Sequence, residues 1–273
     1  MFKCINGNDI ENVIRIIDYN PSVLYHQSIG VQNYNLFPCQ YSAVMGNIDM
    51  VRLILDKMKY FNLHDLIDIF KSWLNSSNIL VNYASKGDLD MVSLLIDIGA
   101  DVNIHHSSGS SRVVAPPIYH AIHGRHLGTV RLLIERGSRL EYEHQCDNLL
   151  VITSGVENNE SILKYLIKEA GFDVNAKSNI SALFRASEIG CVRNILILLK
   201  HGAEIEWEDD EGFTSIAIAA YNGNLNSLCT LYKNGADLNS RDYDDKTPYA
   251  HALEHQYDNY KLLKTLINFR AIV

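Results

Sequence analysis

No stretch of these 273 residues runs apolar for anything near 18 positions, so the sequence offers no helix fit to span a membrane. The opening segment carries Lys3 with no apolar core behind it, and no secretory leader is expected. Cysteine is sparse. Cys4, Cys39, Cys146, Cys191 and Cys229 are odd in number, widely spaced and without a C-x-x-C pair. They read as reduced thiols in a cytosol-like compartment, although folding could still bring two of them together. Positive charge is also short. The formal net charge is −8, and residues 204–245 account for it, with ten acidic side chains against Lys233 and Arg241. The rest of the chain sums to zero, which argues against nucleic-acid binding, since that requires Lys and Arg to neutralise phosphates.

Motifs that carry chemistry are missing too. There is no G-x-x-x-x-G-K-[ST] loop, and Ser107–Ser111 lacks the lysine and a following helix. Neither G-x-S-x-G nor H-E-x-x-H occurs. His120, His123 and His126 have near-helical spacing, but the third lies past the expected helix break and no cysteine or carboxylate sits at ligand spacing. They are read as exposed histidines rather than a metal site. His144-x-Cys146 is no nucleophile pair by adjacency alone, because such pairs are defined in space. No catalytic residue, cofactor or metal is therefore assigned, and the chain is not expected to be an enzyme.

What the chain has instead is repetition. The triplet Leu228, Leu231, Tyr232 places three bulky side chains on one helix face, and the same face recurs seven times. The others are Val13/Ile16/Ile17, Val51/Ile54/Leu55, Val92/Leu95/Ile96, Val130/Leu133/Ile134, Leu163/Leu166/Ile167, Ile195/Leu198/Leu199 and Leu263/Leu266/Ile267. Their first members are 38, 41, 38, 33, 32, 33 and 35 residues apart. A period of that length marks stacked helix pairs, because one pair cannot bury its apolar face alone. A 47% hydrophobic composition supplies enough apolar surface for a continuous core. Gly99, Gly137, Gly171, Gly202 and Gly235 follow the triplets where a left-handed residue would end a helix.

The pattern resembles the ankyrin repeat, with its T-P-L-H-x-A opening, glycine break, apolar second helix and G-A-D-x-N close. Matching pieces are Thr214-Ser215-Ile216-Ala217 with Gly223, Gly235-Ala236-Asp237-Leu238-Asn239 and Thr247-Pro248-Tyr249-Ala250. Gly99 to Asn103, Gly171 to Asn175, Gly202 to Glu204 and Pro117 to Ala121 match as well. The resemblance covers nearly the whole chain and is weakest over residues 1–77. Arg125 and Asn158 stand where the break glycine belongs. The resemblance implies an all-α ankyrin-repeat solenoid of about eight helix-turn-helix units with short turn or β-hairpin fingers.

The expected organisation is a single domain over 1–273. Residues 1–35 form an N-terminal capping unit and linker, 57–77 an inserted helix, and 246–273 a C-terminal cap. The finger from Asn103 to Pro116 is longer than its counterparts, and its SSGSS core predicts mobility. The last helix ends in Leu266, Ile267, Phe269, Ile272 and Val273, which are expected to pack inward rather than against a second copy.

The resemblance further implies protein–protein interaction, the partner lying on the fingers and first helices of the concave face. The acidic run Glu206 to Glu211 and the run Asp242 to Asp245 fall in consecutive fingers and should lie side by side. Trp207, Asp209, Asp210, Glu211, Tyr243, Asp244 and Asp245 are the candidate partner-binding residues there, suited to a protein with a basic surface. Asp209 and Asp242 also match an aspartate common in ankyrin fingers. Tyr221, Asn222, His120 and His123 are candidates on first helices, where Tyr41, Arg185, Glu188, His251 and His255 are also expected to face outward. A monomer is expected, with a homodimer as the alternative; the alternative functions are a self-assembling or regulatory module that uses the apolar last helix, and, behind it, an enzyme with a cryptic site. The Ile-, Asn- and Tyr-rich wording is similar to ankyrin proteins of large DNA viruses and of intracellular bacteria, which implies a host-directed effector in the host cytoplasm.

Overall fold

The computed structural model describes residues 1–28, 35–104, 115–140, 148–176, 180–255, 258–269 and 271 in full, and 107–108 and 112–113 by backbone alone. The helices form two compact units, Met1–Ser138 and Arg139–Val273.

The first unit opens with the pair α1 (Phe2–Asn6) and α2 (Ile10–Tyr19), then a 3-10 turn at Pro21–Tyr25. The pair α3 (Pro38–Val44) and α4 (Ile48–Tyr60) follows, and α5 (His64–Ser76) packs against both of its members. Two more pairs complete the unit: α6 (Ile79–Lys86) with α7 (Leu89–Ile98), and α8 (Pro117–His123) with α9 (Leu127–Glu135). First helix stacks on first helix (α6 on α8) and second on second (α7 on α9). A two-residue antiparallel hairpin, Ser107–Ser108 with Arg112–Val113, lies between α7 and α8. The mobility expected of that finger concerns residues largely outside those described.

The second unit holds four pairs: α10 (Leu149–Ser154) with α11 (Glu160–Lys168), and α12 (Ala182–Ile189) with α13 (Val192–Lys200). They continue as α14 (Ser215–Tyr221) with α15 (Leu225–Lys233), and α16 (Pro248–His255) with α17 (Tyr260–Asn268). The first helices α10, α12, α14 and α16 stack in succession.

Local chemistry sets these boundaries. Between the helices of a pair the chain turns through one left-handed residue: Gly46, Gly87, Gly190 and Gly223 have φ of 76, 73, 93 and 76°. Where glycine is replaced, Arg125 and Asn158 take the same conformation, at φ of 63 and 57°. Asn8, at φ 53°, rather than Gly7, makes the first break. Helix starts are capped by short polar side chains. Asn47, Asp88, Asn148, Ser181, Thr214 and Asn259 each accept the N–H three residues on.

Neighbouring repeats are tied by a recurring amide ladder. Asn103 Nδ2 donates to Gly137 O (3.1 Å) and Asn175 Nδ2 to Gly202 O (2.9 Å). Asn175 Oδ1 accepts Glu204 N–H (2.9 Å). Asn75, at the end of α5, makes the same pair of bonds to Gly99 O and Asp101 N–H (3.2 and 2.8 Å). Thus α5 delivers its own Asn to the ladder position that a finger fills elsewhere.

The apolar triplets form the core, with two corrections. Val13, Ile17, Val51, Ile54, Val92, Leu95, Val130, Leu133, Leu163, Leu166, Ile195, Leu198, Leu228 and Leu231 are fully buried, each contributing about 1.5–3 kcal/mol of transfer free energy. Beyond α4, the third members are only half-buried, or exposed at Tyr232 (37%) and Ile267 (52%). In α17 the buried pair is Leu262 and Leu266, not Leu263. In those helices the position after i+3 lies on the flank, whereas Ile17 in α2 and Leu55 in α4 stay in the core. Inward packing at the last helix holds for Leu266 and for Phe269, whose ring stacks on Tyr232 at 4.2 Å, but Ile267 stays exposed. Ile272 and Val273 lie outside the described residues.

Candidate functional site

The two acidic fingers of the second unit share one turn. In the first, Asp209 Oδ1 accepts the N–H groups of Glu211 (3.0 Å) and Phe213 (2.8 Å). In the second, Asp242 Oδ1 accepts those of Asp244 (3.0 Å) and Lys246 (2.8 Å). Gly212 at φ 83° and Asp245 at φ 63° occupy equivalent left-handed positions. The fingers touch: Tyr243 N–H donates to Glu211 O (3.1 Å), and Thr214 Oγ1 lies 3.0 Å from Ser240 Oγ. The approach is close enough that a Cβ on Gly212 would fall 2.7 Å from Tyr243 Cδ1.

The turns therefore divide the acidic residues by role. Asp209 and Asp242 point back into their own loops, and Asp242 is only 9% exposed. Asp210, Glu211, Asp244 and Asp245 face solvent. Asp245 Oδ2 pairs with Arg241 at 3.0 Å, an exposed pair worth little. Asp210, Glu211 and Asp244 make no ion pair among the described residues, so they are the charges free to meet a partner. Tyr243 is 73% exposed beside them. Trp207, expected to be exposed, is half-buried, because its ring packs edge-on against Phe184 of the preceding repeat at 5.9 Å.

The first helices α14 and α16 supply the adjoining surface. Tyr221 packs against Phe213 (6.0 Å), His251 (5.9 Å) and His255 (4.1 Å), while Asn222 is exposed at the C-cap of α14. His251 was expected to face outward and does not. Its Nε2 lies 2.6 Å from Asp242 Oδ2, and the side chains are 4% and 3% exposed. The acceptor is a carboxylate, so Nε2–H donates. Tyr41, also expected outside, is buried, its ring edge-on to Phe2 at 5.3 Å and its hydroxyl on Asn6 Oδ1 at 2.5 Å.

His120 and His123 belong to the first unit. His123 is exposed, stacked on Tyr119 at 4.1 Å, with Nδ1–H on Tyr119 O at 2.9 Å. His120 is half-buried with Nε2 unpartnered among the described residues; burial first, then the neighbouring His123, hold its pKa below the ordinary value. His126 donates from Nε2 to Ser85 O at 3.0 Å and ties one repeat to the next.

Two further groups bear on chemistry. Cys191 lines a 150 Å³ hollow with Glu157, Glu160 and Arg193; burial and then the two glutamates push its thiol up to about 11, the reverse of activation. A 640 Å³ groove in the first unit is lined by Leu36, Trp73, Asn82, Tyr83 and Lys86 among others, without a carboxylate. The one set of three clustered ligand-type side chains among the described residues is His251, Glu254 and His255. The sequence signal for it is the spacing H-x-x-E-H on one helix face, distinct from H-E-x-x-H.

A profile described as "Ankyrin repeats (3 copies)" matches residues 80–178, 149–242 and 183–271, more than half of the chain. The chain belongs to the ankyrin repeat family, an all-α repeat fold whose members are generic protein–protein interaction modules. It is 29% identical over 189 residues to ankyrin repeat protein nuc-2 of Neurospora crassa, covering 67% of this chain and 17% of the relative. To an ankyrin repeat protein of fowlpox virus it is 27% identical over 228 residues, 75% of this chain and 40% of the relative. To human ankyrin repeat and SOCS box protein 14 it is 27% identical over 206 residues, 71% and 33% respectively. The chain thus spans less than half the length of each of these three relatives. No helix among the described residues is long and apolar enough to cross a membrane.

Proposed function

We propose that this chain holds a protein partner on the second unit, through the paired fingers 206–214 and 239–247 and the adjoining residues of α14 and α16. The observation that carries the reading is the division of the acidic runs. Asp209 and Asp242 build the turns, and this leaves Asp210, Glu211 and Asp244 unpaired in solvent beside the exposed ring of Tyr243. A Lys- or Arg-bearing segment would be steered by the charges and packed on the aromatic ring. Tyr221, Asn222 and His255 extend the contact onto the first helices. His120 and His123, in the first unit, are a further candidate contact.

The test is capture from an extract of the natural host cell, analysed by mass spectrometry, with wild type against an Asp210→Lys/Asp244→Lys double variant. Neither carboxylate supports its turn, so the unfolding midpoint should hold while capture is lost. A partner retained at wild-type level by the folded double variant sinks the assignment. Reversal of Asp209 is avoided, since it would break the turn and confuse lost binding with lost structure.

We further infer a host-directed effector acting in the host cytoplasm. Its support is the similarity to a viral ankyrin repeat protein. A tagged chain expressed in host cells should show diffuse cytoplasmic signal; exclusive nuclear or membrane signal would contradict it. A second reading, self-association through the last pair, draws on the exposure of Tyr260 (74%) and Ile267 (52%). A light-scattering mass of twice the monomer, abolished by Ile267→Lys, would favour it.

A further inference from the structure

We propose that His251, Glu254 and His255 form a binding site for a divalent transition-metal ion of the zinc class. The three lie on α16, and a ligand-type atom from each falls within 4.8 Å of the other two. Residues four apart share a helix face, so both imidazoles and the neighbouring carboxylate converge on the same edge. Two nitrogens and one oxygen make a borderline donor set, suited to Zn²⁺, Ni²⁺ or Cu²⁺ rather than to Mg²⁺ or Ca²⁺.

A second observation, independent of the spacing, points the same way. His251 is 3% exposed, and its Nδ1 is buried with no hydrogen-bond partner. Its other nitrogen, Nε2, donates to Asp242 Oδ2 at 2.6 Å. In the neutral ring that bond leaves the lone pair on Nδ1, where a buried acceptor without a donor is costly. A carboxylate behind a histidine, with the far nitrogen free, is the arrangement that orients an imidazole toward a metal. Asp242 thereby has two duties: one oxygen builds the finger turn and the other holds the ligand ring.

The remaining ligands can close on that fixed ring. Metal–ligand bonds of about 2.0–2.1 Å require ligand atoms roughly 3.3 Å apart, so the widest pair must close by at most about 1.5 Å. His255 and Glu254 are exposed and can supply the movement, with side chains 41% and 47% accessible. Lys246 opposes it, since its Nζ holds Glu254 Oε2 at 2.7 Å. This competition yields a diagnostic sign: removing the lysine should strengthen metal binding.

The experiment is calorimetric titration of the full chain with Zn²⁺, together with Co²⁺ absorption. Wild type should bind one equivalent at this site, without the thiolate-to-cobalt charge-transfer band that a cysteine ligand would give. His255→Phe keeps a ring against Tyr221 but removes the nitrogen, and should weaken the site about tenfold or more, as should Glu254→Gln. Lys246→Met should tighten it. Binding that is absent in folded wild type, unchanged in both ligand variants, or accompanied by a thiolate band overturns the proposal. None of these results depends on whether the acidic fingers capture a protein.

Discussion

Asp209 and Asp242 provide an internal comparison, because one turn is built twice with a single difference behind it. Replacing Asp209 by Ala removes an acceptor from two N–H groups in a half-exposed loop. At about 1 kcal/mol for each bond, the loss is ~2 kcal/mol. Replacing Asp242 removes the same two bonds and also leaves the Nε2–H of His251 buried without an acceptor. Leaving that buried N–H without an acceptor adds about 1–3 kcal/mol. Asp242→Ala should therefore be the worse of the two by ~2 kcal/mol. Asp242→Asn keeps Oδ1 for the two amides and can offer an N–H to a re-tautomerised His251, for a loss of ~1 kcal/mol. Trp207 lies in the same unit, packed on Phe184, and the other tryptophan, Trp73, can be replaced by Phe to silence the first unit. Urea unfolding followed by Trp207 fluorescence, with chelator present, then ranks the three variants. If Asp242→Ala were no more destabilising than Asp209→Ala, the buried Asp242–His251 bond would not be a stabilising part of the second finger.

Three other outcomes are expected. Gly212→Ala should destabilise the second unit by ~2 kcal/mol or more in the same assay, since the new Cβ meets a left-handed backbone and the Tyr243 ring and amide at 2.7–2.9 Å. Arg125→Gly should raise stability by up to about 1 kcal/mol, because Arg125 holds φ 63° at a position that glycine fills in sister repeats. Chemical denaturation of the variant against wild type reads that gain. For His120, a lowered folded pKa means that the unfolded chain binds the proton more tightly. Its contribution is thus present above the ordinary histidine value of about 6.5 and is lost as pH falls below it. Stability measured from pH 7 to 5 should fall less steeply in His120→Gln than in wild type.

Much of this was legible from the chain alone. The spacing of apolar triplets located the second helices, and the G-A-D-x-N pieces located the fingers, because periodicity and turn chemistry are properties of adjacent residues. The replacements at Arg125 and Asn158 were visible as exceptions, and the repeat absorbed them by holding both in the glycine conformation. Exposure was harder to read. Trp207, Tyr41 and His251 sit at positions that local pattern assigns to the surface, yet each is covered by a residue far away in sequence or in the neighbouring finger: Phe184, Phe2 and Asp242.

The sequence by itself determined the repeat, its period, its capping residues and the concentration of negative charge between 204 and 245, since these depend only on order along the chain. Tertiary structure alone decided which acidic groups are structural and which remain free. It did so because Oδ1 of Asp209 and of Asp242 is held by two amides of its own turn, whereas Asp210, Glu211 and Asp244 face solvent. Structure also decided that His251 turns inward to Asp242, leaving one imidazole nitrogen without a proton donor, a pairing that joins the finger turn to the helix directly after it.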